Sequence, residues 1–156
     1  MNIHEIRTKE IQQKLKILKL DGFIITSIKD IFFITGFHQD RTIILITKDE
    51  LYSFIPRMFY EHFKKTTPWA EIVAYENIYS SIENKIKELK LKEIAFDSSS
   101  TLYEEAKKLI DIGAKPISGF IKEFRMNKKL EEFENLKKSC QIAAKAFEAI
   151  KPKIRE

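Results

Sequence analysis

The sequence predicts an α/β fold: a mixed β-sheet flanked by helices on both faces, with a C-terminal linker helix. Three observations support this prediction. Segments with helical periodicity alternate with short apolar runs that are typical of buried strands. Two of these runs are close enough in sequence to form a hairpin. The last part of the chain carries a long apolar stripe. We place the α/β domain at residues 1–122 and a linker with the start of a further helix at 123–156.

The chain begins with an amphipathic helix. Ile11, Leu15 and Leu18 follow the i, i+4, i+7 spacing of a single helix face. This spacing predicts a helix over residues 4–20, and Gly22 suits its end because glycine adopts the left-handed conformation readily.

A strand and a short helix are predicted next. The apolar run FIIT, residues 23–26, is typical of a buried strand. Ser27 is a suitable N-cap for a short helix over 28–34, and Gly36 is the expected break after it.

The middle of the chain contains the predicted hairpin. TIILIT (42–47) and LYSFI (51–55) flank the short segment KDE, which favours two antiparallel strands joined by a tight turn. The segment 57–65 is helical in pattern, and EIVAY (71–75) is a further strand. A helix face formed by Ile82, Ile86 and Leu89 follows.

The second half adds two strands and a helix between them. EIAF (93–96) predicts a strand, and the run Asp97 with residues 98–100 can supply the N-terminus of the next helix. A ligand-binding loop after the strand is the alternative interpretation, but the run lacks a glycine for close backbone approach. The helix continues to Gly113, and 115–118 is a last strand. The apolar positions of this helix are Leu102, Ala106, Leu109 and Ile110.

The tail has a different pattern. Apolar residues recur at intervals of three and four over 130–150, which predicts one long helix. Such a helix needs a surface to cover, which is its own sheet, a second copy of the chain or a further domain. The residues concerned are Leu130, Phe133, Leu136, Cys140, Ala143, Phe147 and Ile150. We expect Cys140 to be a small buried residue of this stripe. We also expect the chain to have been cut within or just after this helix.

Composition excludes several classes of protein. Hydrophobic residues make up 44% and charged residues 33% of the chain, which argues against disorder. No run reaches the roughly 18 apolar residues of a membrane span, so we expect no membrane insertion.

The net charge of +5 resides mostly in 122–156, where lysines alternate with glutamates as on a solvated helix face. We therefore expect no nucleic-acid binding. A single cysteine favours a reducing, cytoplasmic location.

The usual motifs of an active site are absent. The sequence has no Gly-rich phosphate loop, no H-E-x-x-H and no C-x-x-C. The histidines, His4, His38 and His62, fall on three predicted elements, so we assign no catalytic and no metal-binding residue to this chain.

One loop remains as a candidate site. The apolar segment that ends at Gly36 is followed by Phe37, His38, Gln39, Asp40 and Arg41. These residues form either a plain polar turn before the next strand or a projecting loop that contacts a ligand.

Two segments carry a resemblance to a known family. SIKDIFFITGF (27–37) resembles the S-P-E-N-I-R-Y-L-T-G-F segment of the N-terminal domain of the prolidase, aminopeptidase P and creatinase family of Xaa-Pro peptidases. FRMNKKLEEFENLKKSCQIAAKAF (124–147) resembles the junction of that domain with the catalytic domain. The positions that match are Arg125, Lys128, Glu132, Phe133 and Leu136.

The resemblance implies a function. In this family a C-terminal pita-bread domain holds two divalent metal ions, manganese, cobalt or zinc, and cleaves the bond before proline in short peptides. This chain would be the non-catalytic N-terminal domain, inactive alone, without a cofactor of its own, and part of a dimer or tetramer. The loop 37–41 would then border the substrate pocket of the neighbouring subunit. The alternative is a peptide- or protein-binding domain of a catalytically inactive family member.

Overall fold

The computed structural model describes residues 2–154, which contain six strands and seven α-helices. The strands are β1 (Gly22–Ile25), β2 (Ile43–Thr47), β3 (Leu51–Pro56), β4 (Glu71–Tyr75), β5 (Ile94–Asp97) and β6 (Lys115–Ile117). The helices are α1 (Ile3–Leu18), α2 (Ile28–Thr35), α3 (Tyr60–Thr66), α4 (Ile78–Glu88), α5 (Tyr103–Asp111), α6 (Phe120–Met126) and α7 (Leu130–Ile150). A short 3₁₀ turn, Arg57–Phe59, precedes α3, and another, Lys151–Lys153, follows α7. The chain divides into two compact units between Phe124 and Arg125.

The strands of the first unit form one mixed sheet in the order β4-β3-β2-β1-β5-β6. Strand β2 runs antiparallel to its neighbours β1 and β3, while the pairs β3·β4, β1·β5 and β5·β6 are parallel. The mixed sheet and the hairpin of β2 and β3 are therefore as predicted. All the parallel strands end at one edge of the sheet, which we call the carboxyl edge.

Helices cover both faces of the sheet. The first face packs against apolar residues of α1, α2 and α6, and the second against those of α4 and α5. Strand β1 contributes to both: Phe23 and Ile25 lie in the first core and Ile24 in the second. The alternation follows from the twofold period of a strand.

Asp97 was assigned from the sequence to the N-terminus of the wrong helix. Strand β5 extends through Asp97, and α5 begins only at Tyr103. The Asp97 carboxylate accepts hydrogen bonds from the N–H groups of Gly119 (3.0 Å) and Ile121 (3.2 Å), and from Ser99. It therefore caps the start of α6, a helix that was not predicted. Burial acts to raise the pKa of Asp97, but these hydrogen bonds outweigh it and lower the pKa.

Asp21 joins three parts of the chain at the opposite edge of the sheet. Its carboxylate accepts hydrogen bonds from the N–H groups of Lys92 and Glu93, both at 3.0 Å, and from the Lys48 ammonium at 2.7 Å. The Glu93 N–H, the Lys48 ammonium and the Lys92 N–H lower the pKa of Asp21 from 3.8 to about 2.

The second unit contains α7, over the predicted range. None of its residues is buried, and Cys140 is exposed, so the expected burial of Cys140 is not observed. No described helix is both long and apolar enough to cross a membrane.

Substitution of Asp97 tests its capping role. We expect Asp97→Ala to lower the free energy of unfolding by about 2–4 kcal/mol, because the buried Ile121 N–H loses its acceptor and the Gly119 N–H keeps only the Ser99 hydroxyl. Urea denaturation measures the change. Asp111→Ala, at an exposed position in α5, is the control, and equal losses in the two variants would contradict the role.

Substitution of Asp21 changes the acid sensitivity of the fold. Because the folded pKa of about 2 lies below the ordinary 3.8, the stabilisation is complete above about pH 4 and is lost as the pH falls towards 2. We expect Asp21→Asn to remove about 1–2 kcal/mol at neutral pH and to flatten the pH dependence between pH 4 and 2. Urea denaturation from pH 2 to 7 measures both effects. Asp49→Asn, at a side chain that is 82% exposed, should leave the pH profile unchanged.

Candidate functional site

The candidate loop, residues 37–41, connects α2 to β2 at the carboxyl edge of the sheet. Strand β2 starts at this edge because it runs antiparallel to β1. Ligands of α/β proteins commonly bind beyond the carboxyl ends of the parallel strands. The loop therefore lies on the side of the sheet where a binding role is most often found.

The turn into the loop is closely bonded. The Thr35 hydroxyl donates to the Ile31 carbonyl (2.7 Å) and accepts from the Phe37 N–H (3.0 Å). The Thr67 hydroxyl donates to the Thr35 carbonyl (3.3 Å). Gly36 ends α2 with φ +71°, the left-handed conformation that glycine adopts without steric cost.

Helix α1 holds the end of α2 in place. The Phe33 carbonyl, which has no helical partner so near the end of α2, accepts from the Arg7 guanidinium (2.8 Å) and lies 2.9 Å from His4 Nδ1. The Arg7 guanidinium also lies over the Phe33 ring, 3.9 Å from its centroid. A Cβ atom at Gly36 would come within 2.8 Å of His4 Nε2. The loop therefore leaves α2 in a direction set by α1.

Phe37 anchors the start of the loop. Its side chain is only 4% exposed and packs with Ile55 and Phe63, whose ring makes an edge contact at 4.8 Å. The His62 ring is 5.4 Å away. Of the five predicted site residues, Phe37 thus has a structural role within this chain and presents little surface to a ligand.

The other four predicted residues are accessible. His38, Asp40 and Arg41 are exposed, and Gln39 is partly exposed. The His38 ring lies 6.3 Å from that of Phe32, a side chain that is 49% exposed. The loop therefore presents an imidazole, an amide, a carboxylate and a guanidinium, which can recognise charged and hydrogen-bonding groups.

Tyr75 bonds the end of the loop and was not predicted as a site residue. Its hydroxyl donates to the Arg41 carbonyl at 2.6 Å. The two residues are 34 positions apart, so local sequence gave no sign of the contact. His4 and Arg7 were missed for the same reason.

Metal ligands are not grouped in the part of the chain that the structure describes. No cluster of three or more His, Cys, Asp or Glu residues suited to a metal ion occurs there.

Comparison with known proteins identifies the fold. Residues 7–127 match the family model described as the Creatinase/Prolidase N-terminal domain. The chain is 26% identical to an uncharacterised peptidase of Staphylococcus saprophyticus, over 92% of this chain and 43% of the relative. It spans less than half the length of that protein.

Solved structures share the fold. A Xaa-Pro dipeptidase from Bacillus anthracis superposes with a TM-score of 0.85 and 24% identity, over 96% of this chain and 44% of the dipeptidase. An aminopeptidase P, the Xaa-Pro aminopeptidase from Streptococcus thermophilus, gives 0.73 and 21% identity, over 80% of this chain and 99% of the solved chain.

The contact between Gly36 and His4 is testable. Gly36→Ala incurs both the cost of a left-handed alanine and the clash with His4, and we expect a loss of about 2–3 kcal/mol in the free energy of unfolding. Gly113→Ala is a matched control, since Gly113 has φ +90° with open space around its Cβ position, and should lose about 1 kcal/mol. In a His4→Ala background, Gly36→Ala should lower the free energy of unfolding only as much as Gly113→Ala does. Denaturation of the four variants measures these changes. Equal losses of unfolding free energy in Gly36→Ala and Gly113→Ala would contradict the clash.

Proposed function

This chain belongs to the creatinase/prolidase N-terminal domain family, and on that basis we propose that it is the non-catalytic N-terminal domain of a metal-dependent Xaa-Pro peptidase. The superposition of 96% of this chain on 44% of a Xaa-Pro dipeptidase supports the proposal. The role of the chain is then that of one domain in a longer enzyme.

The chemistry of the whole protein is assigned to its remaining part. Two divalent ions, manganese, cobalt or zinc, would supply a Lewis acid and a metal-bound nucleophile for cleavage of the bond before proline. The described residues offer no cluster of ligands for these ions. We propose that hydrolysis takes place in the remaining part of the protein and that this chain contributes no step of it.

The loop 37–41 is the part of this chain that we propose to meet substrate. In a homo-oligomer, dimeric or tetrameric, it would border the pocket of the neighbouring subunit. Short proline-containing peptides carry a terminal carboxylate, and His38 or Arg41 can bind it by charge-assisted hydrogen bonds. A loop from a second subunit would also limit access of water and favour short substrates.

We propose a cytoplasmic location from the single cysteine.

The assignment is tested by comparing this chain with the whole protein. We expect the whole protein to hydrolyse Xaa-Pro dipeptides in the presence of manganese and the 156-residue chain to hydrolyse none. Hydrolysis by the chain alone would overturn the proposal. Peptide binding by the whole protein without metal binding or hydrolysis would instead identify an inactive family member.

The role of the loop predicts a selective effect on substrate affinity. In the whole protein, His38→Ala or Arg41→Ala should lower kcat/KM for a Xaa-Pro dipeptide about tenfold, as expected for loss of one charge-assisted hydrogen bond. Both side chains are exposed, so the melting temperature should change little. Lys122→Ala, which removes an exposed cation of α6, is the control. Unchanged kcat/KM in both loop variants would make the loop a plain surface turn.

A further inference from the structure

Arg41 lies in a turn and has a backbone conformation that is uncommon for a residue other than glycine. Its φ is +59°, in the left-handed region. The other non-glycine residues with positive φ among those described are Lys19 and Lys90, at the ends of α1 and α4. A left-handed residue is common at a helix end, whereas Arg41 lies in a loop that leads into a strand. Non-glycine residues in this region persist where the surroundings hold them, frequently at functional sites.

Tyr75 supplies the restraint. It is the last residue of β4, and its partly buried side chain packs against the apolar core of the second face. From this fixed position its hydroxyl donates to the Arg41 carbonyl at 2.6 Å. Burial raises the pKa of the Tyr75 phenol, and the nearby Arg41 charge opposes this only in part, so the phenol keeps its proton at neutral pH.

The loop is thus held at two points. At its start the Phe37 side chain is buried and its N–H bonds to Thr35. At its end Tyr75 holds the Arg41 carbonyl. Only residues 38–40 lie between these two anchors, so the exposed Arg41 side chain projects from a backbone of defined geometry. Preorganisation of this kind lowers the entropy that a binding group loses when its ligand arrives.

We propose that Tyr75 is a positioning residue: it holds Arg41 in the left-handed conformation and so directs the Arg41 guanidinium towards the terminal carboxylate of a short peptide. The identity of the ligand rests on the proposed function. The restraint on the loop rests on the geometry of this chain alone, and the two parts are tested separately.

The restraint is tested by trypsin cleavage after Arg41 in the 156-residue chain. Cleavage there requires local opening of the loop, so removal of one hydrogen bond should accelerate it about fivefold in Tyr75→Phe, relative to cleavage elsewhere in the chain. Tyr103→Phe removes a hydroxyl from a side chain that is 72% exposed and should leave the rate unchanged. Equal rates in Tyr75→Phe and the native chain would overturn the proposal.

The direction of the guanidinium is tested by kinetics of the whole protein. Tyr75→Phe should raise KM about fivefold for a Xaa-Pro dipeptide with a free carboxylate, with kcat unchanged and with little effect on the amidated peptide. In an Arg41→Gly background, Tyr75→Phe should have no further effect on KM. An equal rise in KM for the free and amidated peptides would overturn the role in carboxylate binding. If the native whole protein hydrolyses no such peptide, the proposed function fails, and the trypsin assay still decides the restraint.

Discussion

The burial of β1 on both faces is the constraint on which the rest of the first unit depends. All four residues of this strand are buried, and it has a hydrogen-bonded neighbour on each side. Because its backbone groups are paired and its side chains point alternately to two faces, the strand is stable only when helices cover both. The helices of the two faces then begin and end at the sheet edges. The candidate loop emerges at the carboxyl edge, directly after a helix of the first face.

Much of this fold could be predicted from the sequence, because most of its elements carry their signals locally. The face formed by Ile11 and Leu15 predicts α1, and the apolar runs on either side of KDE predict the hairpin. Helix α6 was missed because it has only seven residues and its N-terminal groups are capped by Asp97, over 20 positions away. The same carboxylate was assigned to the wrong helix, since a strand end followed by serines also fits a local cap. A cap supplied by a distant residue leaves no pattern in a short stretch of sequence.

The candidate site shows the same division between local and distant signals. The sequence identified the residues of the loop, and Gly36 as the break before it, because glycine after an apolar helix is a local signal. It did not distinguish the buried Phe37 from its exposed neighbours, because burial is set by residues such as Phe63. It also did not indicate that α1 and β4 hold the two ends of the loop. The loop is polar and exposed, yet its ends are held by groups from helix α1 and strand β4.

The two outer strands of the sheet differ in a way that bears on contacts with other chains. Strand β6 has three residues, and its Pro116 lacks the N–H that strand pairing needs. The exposed Lys115 beside it adds a charge that opposes pairing of edges. Strand β4 has five residues and no proline. The β6 edge is therefore protected against unwanted strand addition, and hence against aggregation through the sheet. This protection is much weaker at the β4 edge.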